Sequence, residues 1–287
     1  MDIGHRLVER DGQMLVDFTD MEDFWNTADL DAGDGMARAS RASDDSFYGP
    51  PFDKARLLAR YGWPEGAGKM RELSVHIQEC IGSRILVEEM RHDVCGEFAD
   101  VQEYILGRPE SMVRIEPAVE AGKGRIVNVV FNGGISSGIS KETCFARGAV
   151  AVAVVDAICR SGLLAELTYL KLDSDNGSSD HGIGLVVPIK RADEPLNLDR
   201  LAFCMAHVSM QRRMVFSVLE LMPRKLKEKY GFFSAGSYAY SIDPPQGQRG
   251  DVYFEKMRTD DASWCDKDAA IDKTLEILRA QGLAVEV

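Results

Sequence analysis

Basic charge, paired cysteines and long apolar runs are all scarce in this chain of 287 residues. No stretch approaches the roughly 18 consecutive apolar residues that a membrane span needs, so no membrane partner is expected. The opening Met1-Asp2-Ile3-Gly4-His5 lacks the basic, apolar and small-residue order of a secretory signal, which points to a cytoplasmic protein. Six cysteines (Cys80, Cys95, Cys144, Cys159, Cys204, Cys265) are scattered without a C-x-x-C pair. They read as free thiols of a reducing compartment, and no metal is expected on them. Lys and Arg number 34 against 46 Asp and Glu, a net charge of −12. That balance argues against wholesale wrapping of nucleic acid, which requires a basic footprint.

What is present is the composition of a globular protein, 45% hydrophobic and 28% charged. The charge is uneven. Residues 1–50 hold 12 acidic and 4 basic side chains, whereas residues 190–230 hold 9 basic and 5 acidic. Three regions follow. Residues 1–46 read as an acidic, partly flexible leader with short apolar pieces at Met14 to Phe18 and Phe24-Trp25, and Asp31 to Ser46 reads as a linker. Residues 47–122 read as a small α+β module. Its helices are expected over 52–61, closed by Gly62, and from Pro64 to about Ile81. A strand at 85–87, a short helix at 98–106 and a strand at 112–115 complete it.

From residue 123 to 287 the alternation is cleaner. Strand 125–131, helix 141–161, strand 165–172, a turn, and strand 183–189 come first. Helices capped by Asn197 and Ser209, a strand at 252–254, a helix from Asp266 and a final strand at 283–287 follow. This order predicts an α/β fold, with a mostly parallel sheet, helices on both faces and one antiparallel hairpin at 165–189. Helix 142–160 is apolar nearly all round, as a doubly covered helix should be, and Gly148 within it suits a close helix crossing.

Strand 125–131 empties into Asn132-Gly133-Gly134-Ile135-Ser136-Ser137-Gly138, where α/β domains place ligand sites. Three chemistries compete for this loop. Gly134 to Gly138 fits G-x-S-x-G, so Ser136 is a candidate nucleophile, with His181 or His207 as base and Asp173, Asp175 or Asp180 orienting it. Gly133 and Gly134 before a helix could offer bare amides to an anion, although no P-loop Lys and no dinucleotide spacing is present. In the third reading the loop, with Asn132, Gly133, Gly134, Ser136, Ser137 and Ser140, grips a protein partner. Arg212 and Arg213, at a helix junction beside His207 and Ser209, are candidates for an anion or partner contact. Arg224, Lys225, Lys227, Lys229 and Tyr230 interleave charge with aromatics, the combination of single-strand nucleic-acid binders.

An antiparallel hairpin straight after the first strand–helix unit resembles the von Willebrand factor A domain. That family holds a divalent metal with Asp-x-Ser-x-Ser at this loop. Here Asn132 stands where the carboxylate would, and Ser136, Ser137 and Ser140 miss the spacing, so the resemblance implies a metal-free version with no cofactor. Residues 47–52 (Phe-Tyr-Gly-Pro-Pro-Phe), 62–66 (Gly-Trp-Pro-Glu-Gly), 100–112 and 201–213 together resemble an uncharacterised family of tailed bacteriophages and mobile elements. That resemblance implies origin in a bacterial host cell, not a chemistry. The expectation is therefore a non-enzymatic protein-binding or scaffold module with a phage or host protein partner. Single-strand nucleic-acid association and a Ser136 hydrolase are the alternatives.

Overall fold

The computed structural model describes residues 3, 6–30, 39–42, 46–81, 85–118, 126–160, 163–175, 177, 181–230 and 239–259, with 269, 272–273, 276 and 284–285 near the end. The helix expected from Asp266 lies mostly outside these residues, as do Asp180 and most of the expected linker.

A large sheet and a small one organise the chain. In the large sheet, β1 (Leu7–Arg10) and β2 (Gln13–Asp17) form a hairpin. It then continues through β8 (Gly182–Lys190), β7 (Leu164–Ser174), β6 (Ile126–Asn132) and β10 (Val252–Phe254). The β2–β8, β6–β7 and β6–β10 pairings are parallel, whereas β7–β8 is the expected antiparallel hairpin. The body of the sheet is thus mostly parallel. A short strand, β9 (Tyr240–Ile242), pairs with the last three residues of β7, beyond the point where β6 ends.

Helices flank this sheet. They include α1 (Met21–Asp29), α2 (Ala39–Ala42), α3 (Phe52–Tyr61) and α4 (Pro64–Ile81). After the small sheet come α6 (Lys141–Arg160), α7 (Leu198–Ala206), a π-helical stretch Met210–Val215, α8 (Phe216–Glu220) and α9 (Arg224–Lys229). The last is six residues long. Asp20 caps α1 by accepting from the Asp23 amide, and Asn197 caps α7 by accepting from that of Arg200. Gly62 ends α3 at φ +91°, where a Cβ would meet Asp199 at 2.7 Å. Gly148 lets α6 cross α7, because a Cβ there would lie 2.5 Å from that of Ala206.

One large core joins Val16, Phe24 and Trp25 of the N-terminal elements to Ala55, Met70, most of α6 and the inner faces of β6, β7 and β8. It therefore runs across both of the boundaries expected at 46 and 122. A second, smaller cluster on the opposite face (Leu15, Val130, Leu170, Leu172, Ile242, Tyr253) comes, among the described residues, entirely from strands. Alternation along each strand produces this division: Val129 and Phe131 face the helices, and Val130 faces away.

The small sheet is antiparallel, in the order β11 (Ala284–Val285), β3 (Ile85–Asp93), β5 (Met112–Ala118), β4 (Phe98–Ala99). The final strand was expected in the large sheet. It instead pairs with β3 through Leu86 and Ile85, which ties the chain's end to the small sheet. Helix α5 (Val101–Ile105) follows β4.

Candidate functional site

The carboxyl ends of the parallel strands β6, β7 and β10 lie side by side, the position where open α/β sheets bind ligands. Here the edge is filled by a polar network. Asn132, fully buried at the end of β6, donates from Nδ2 to the Ile242 carbonyl (3.0 Å), Asp243 Oδ1 (3.1 Å) and the Tyr253 hydroxyl (3.0 Å). Its Oδ1 accepts from the Gly134 amide at 2.9 Å. Tyr253 in turn donates to Asp243 Oδ1 at 2.7 Å. These donations explain the amide side chain. A carboxylate at this position could not donate to Ile242, and it would confront Asp243 as a like charge.

Beside it stands a second group. Lys171 and Asp173, each 1% exposed, form an ion pair on the helix-covered face of β7. Lys171 Nζ also donates to Ser241 Oγ at 2.7 Å, and Ser241 Oγ donates to Asp173 Oδ1 at 3.2 Å. Asp173 Oδ2 is buried without a hydrogen-bond partner among the described residues, so the pair with Lys171 is the carboxylate's main support there. Burial pushes the Asp173 carboxyl up and the Lys171 ammonium down, and their mutual attraction opposes both shifts. Lys256 Nζ donates to the Ser241 carbonyl at 2.8 Å. The network pins β9 to the edge that β6 leaves open. Its signal in the sequence is a pair of opposite charges at alternate positions, Lys171 and Asp173, in register with the apolar Ala165, Leu167 and Tyr169, which puts both on that buried face.

The loop after β6 is closed by the same elements, and the expectation of bare amides is corrected. The Gly133 amide donates to the Leu170 carbonyl (2.8 Å) and the Ser136 amide to the Met257 carbonyl (3.1 Å). Met257 N–H donates back to the Gly134 carbonyl at 2.8 Å, making a parallel bridge between Ile135 and Met257. A Cβ on Gly133 would overlap the Tyr169 ring, and one on Gly134 would sit 2.9 Å from the Ser241 Cβ. These glycines serve close packing, not an anion.

The other sequence candidates disperse. Ser136 Oγ donates to the Met257 carbonyl at 3.2 Å, not to an imidazole. His207 is held between Trp63 and Phe203, accepts from the Ser209 amide on Nδ1, and burial pushes its pKa down to about 4. His181 stacks on Tyr230 with ring centroids 4.3 Å apart. Asp175 is exposed. Among the described residues, no nucleophile–base–acid line is assembled from Ser136. Ser140 accepts from the Thr143 amide and caps α6, and Ser137 is exposed.

Arg212 and Arg213, 3% and 1% exposed, are also corrected as partner contacts. Arg212 donates to the carbonyls of Phe47 and Ile139, and Arg213 to those of Pro50 and Ser40. Each guanidinium lies over a ring, that of Phe47 and that of Tyr48 respectively. Ser209 Oγ donates to the Tyr48 carbonyl, so it fastens this segment instead of capping a helix. On α9, Arg224, Lys225 and Lys229 are exposed, but Lys227 is buried on the Glu220 carbonyl and Tyr230 is buried. Tyr230 is thus withdrawn from any single-strand platform, whereas Tyr240 is 66% exposed.

The small sheet differs from all of this. Met90 and Ile115 are directly opposed across β3 and β5, and Val113 opposes both His92 and Phe98, so these residues share one face. Met90 is 71% exposed and Phe98 47%. Val101, Tyr104 and Ile105, one side of α5 at spacings of three and four, are 65%, 71% and 76% exposed. No residue of α5 is buried. Asp100 attaches the helix. Its Oδ1 caps the amides of Gln102 and Glu103, its Oδ2 meets His92 Nε2 at 3.0 Å, and that contact with His92 is the main cause of its lowered pKa. The open edge of β5 is blunted: Glu97 accepts from the Ile115 amide, and Pro117 has no N–H to offer.

Among the described residues, no group of three or more His, Cys, Asp or Glu side chains is placed to hold a metal ion. No described helix is long and apolar enough to cross a membrane. Over residues 6–285 the chain matches the family described as Domain of unknown function (DUF7192). It belongs to that family. No curated protein and no solved structure matches it.

Proposed function

We propose that this chain is a protein-binding module whose docking surface is the apolar face of the small sheet and α5. The observation that carries this reading is the concentration of exposed large apolar side chains between Met90 and Ile115. A contiguous apolar patch on a folded surface is the usual mark of an interaction site. The blunted β5 edge favours a partner that lies on the face over an extended peptide that adds a strand. The closed loop after β6 and the inward arginines argue against docking at the carboxyl edge. The order β8-β7-β6-β10 is compatible with an A-domain-like scaffold.

The test is site-specific photo-crosslinking in the producing cell, with a benzophenone amino acid at position 105 or at position 137. Protein adducts from 105 and none from 137 are expected. Adducts from 137 alone, or from neither, overturn the reading.

A further inference from the structure

We propose that the partner docks through a basic amphipathic helix, its apolar side on Met90, Phe98 and α5 and its Lys or Arg side chains against the carboxylates around them. The inference rests on the docking reading above and names the chemistry of the occupant. Charge selects it.

Residues 85–118 hold eight Asp or Glu against three Lys or Arg, so this segment carries −5 of the chain's −12. Acidity alone marks no site, since the first 50 residues are acidic too. Here it coincides with the exposed apolar side chains. The three cations do little to offset it on the apolar side. Arg91 and Arg114 are directly opposed across β3 and β5, at positions that alternate with Met90 and Ile115. Strand alternation therefore puts both on the other face, where Arg114 pairs with Asp93 at 3.3 Å. The third cation, Arg108, pairs with Glu103 at 2.7 Å. Around the apolar residues this leaves Glu97, Asp100, Glu103 and Glu110 against one arginine.

A cavity of about 480 Å³ opens beside the patch, lined by His92, Glu103, Arg108, Pro109 and Glu110. His92 stands on the same sheet face as Met90, which sets the cavity next to the apolar side chains. Within it, Arg108 and Glu103 balance each other, and His92 meets Asp100. Glu110 is exposed and, among the described residues, meets no cation. A Lys or Arg reaching in from a helix docked on Met90 and Tyr104 would complete it.

The same charge disfavours the competing occupants. A second copy would bring a like rim, and a nucleic acid or an anionic lipid surface would bring phosphates to the carboxylates. A neutral or acidic helix would leave Glu110 without a cation. The blunted edge of β5 disfavours an added strand, and a helix can lay an apolar stripe flanked by cations along the face.

The experiment titrates the purified full chain against two fluorescently labelled peptides, read by anisotropy. Both are amphipathic helices of about 18 residues with the same Leu and Trp stripe. One carries Lys on its polar side, the other Glu. The Lys peptide should bind about tenfold more tightly or better, and added salt should erode that margin. Tyr104→Glu with Ile105→Glu should weaken the Lys peptide about tenfold at an unchanged far-UV spectrum, although it adds two negative charges, because the apolar contact is lost. Glu110→Gln should weaken it about threefold. Glu9→Gln, which removes the same charge from β1, should leave it unchanged. Equal binding of the two peptides, binding of neither, indifference to the double substitution, or equal losses from Glu110→Gln and Glu9→Gln overturns the basic helix. The docking reading is judged separately. Adducts from position 105 in the cell whose cross-linked segment is acidic, or belongs to a second copy, would uphold docking and refute this occupant.

Discussion

At the carboxyl edge of the large sheet the amides of Gly133, Gly134 and Ser136 all donate to partners within the chain. On the small sheet and its helix α5, Met90, Tyr104 and Ile105 are exposed among the described residues. The first region has the location of a ligand site and the bonding of a structural joint. The second has no catalytic vocabulary and the surface of a joint still open. Position in a fold marks where a site can be. Whether the groups there are already engaged decides whether it is one.

The contrast can be broken from the closed side first. Lys171→Met strands the Asp173 carboxylate in the core, and removing one partner of a buried pair costs about 4 kcal/mol. The urea midpoint should drop accordingly, and adding Asp173→Leu should restore most of the loss. If Lys171→Met is nearly neutral, the edge is hydrated and open. Asn132→Asp exchanges the two amide hydrogens, shared among three acceptors, for a charge facing Asp243, a loss of roughly 3 kcal/mol by the same assay. A stability gain on adding Mg²⁺ to that variant would mean that the A-domain metal geometry survives beneath the substitution.

A third prediction concerns pH. His207 titrates near 6.5 in the unfolded chain and at about 4 in the folded one, because burial disfavours its cation. The unfolded state therefore binds the extra proton between those values. Stability is full above about 6.5 and falls as the pH drops towards 4, by about 3 kcal/mol from this group. In His207→Gln, which keeps an acceptor for the Ser209 amide, the fall should be shallower by that amount. Equal slopes would contradict the buried neutral imidazole. At the open region effects on stability should be smallest. Tyr104→Glu should change the unfolding free energy by no more than about 0.5 kcal/mol, as exposed substitutions do, while abolishing adducts from position 105.

Much of the architecture was legible in the sequence. Pro64 and Gly62 set the helix limits at 52–61 and 64–81, and the apolar alternation marked the hairpin of β7 and β8. The final strand's partner was not legible, because two paired residues carry no signal of which sheet they join. The strings 47–52 and 201–213 stood out together for a reason visible only in space. Arg212, Arg213 and Ser209 hold the carbonyls of Phe47, Pro50 and Tyr48, so each string is the other's lock. Polar residues grouped in a sequence suggested a site, and the fold turned them inward to satisfy backbone carbonyls. The exposed patch was missed for the converse reason. Val101, Tyr104 and Ile105 have core-like helical spacing, and only their exposure among the described residues reveals them as surface.

Hydrogen exchange, residue by residue, on the wild-type chain and on Tyr104→Glu with Ile105→Glu tests both halves of the contrast at once. The amides of Gly133, Gly134 and Ser136 should exchange only through global unfolding in both proteins, whereas those of Tyr104 and Leu106, on a short helix with no buried residue, should exchange fast in both. Fast exchange at Gly134, or protection of α5 as deep as that of Gly134, would contradict the account.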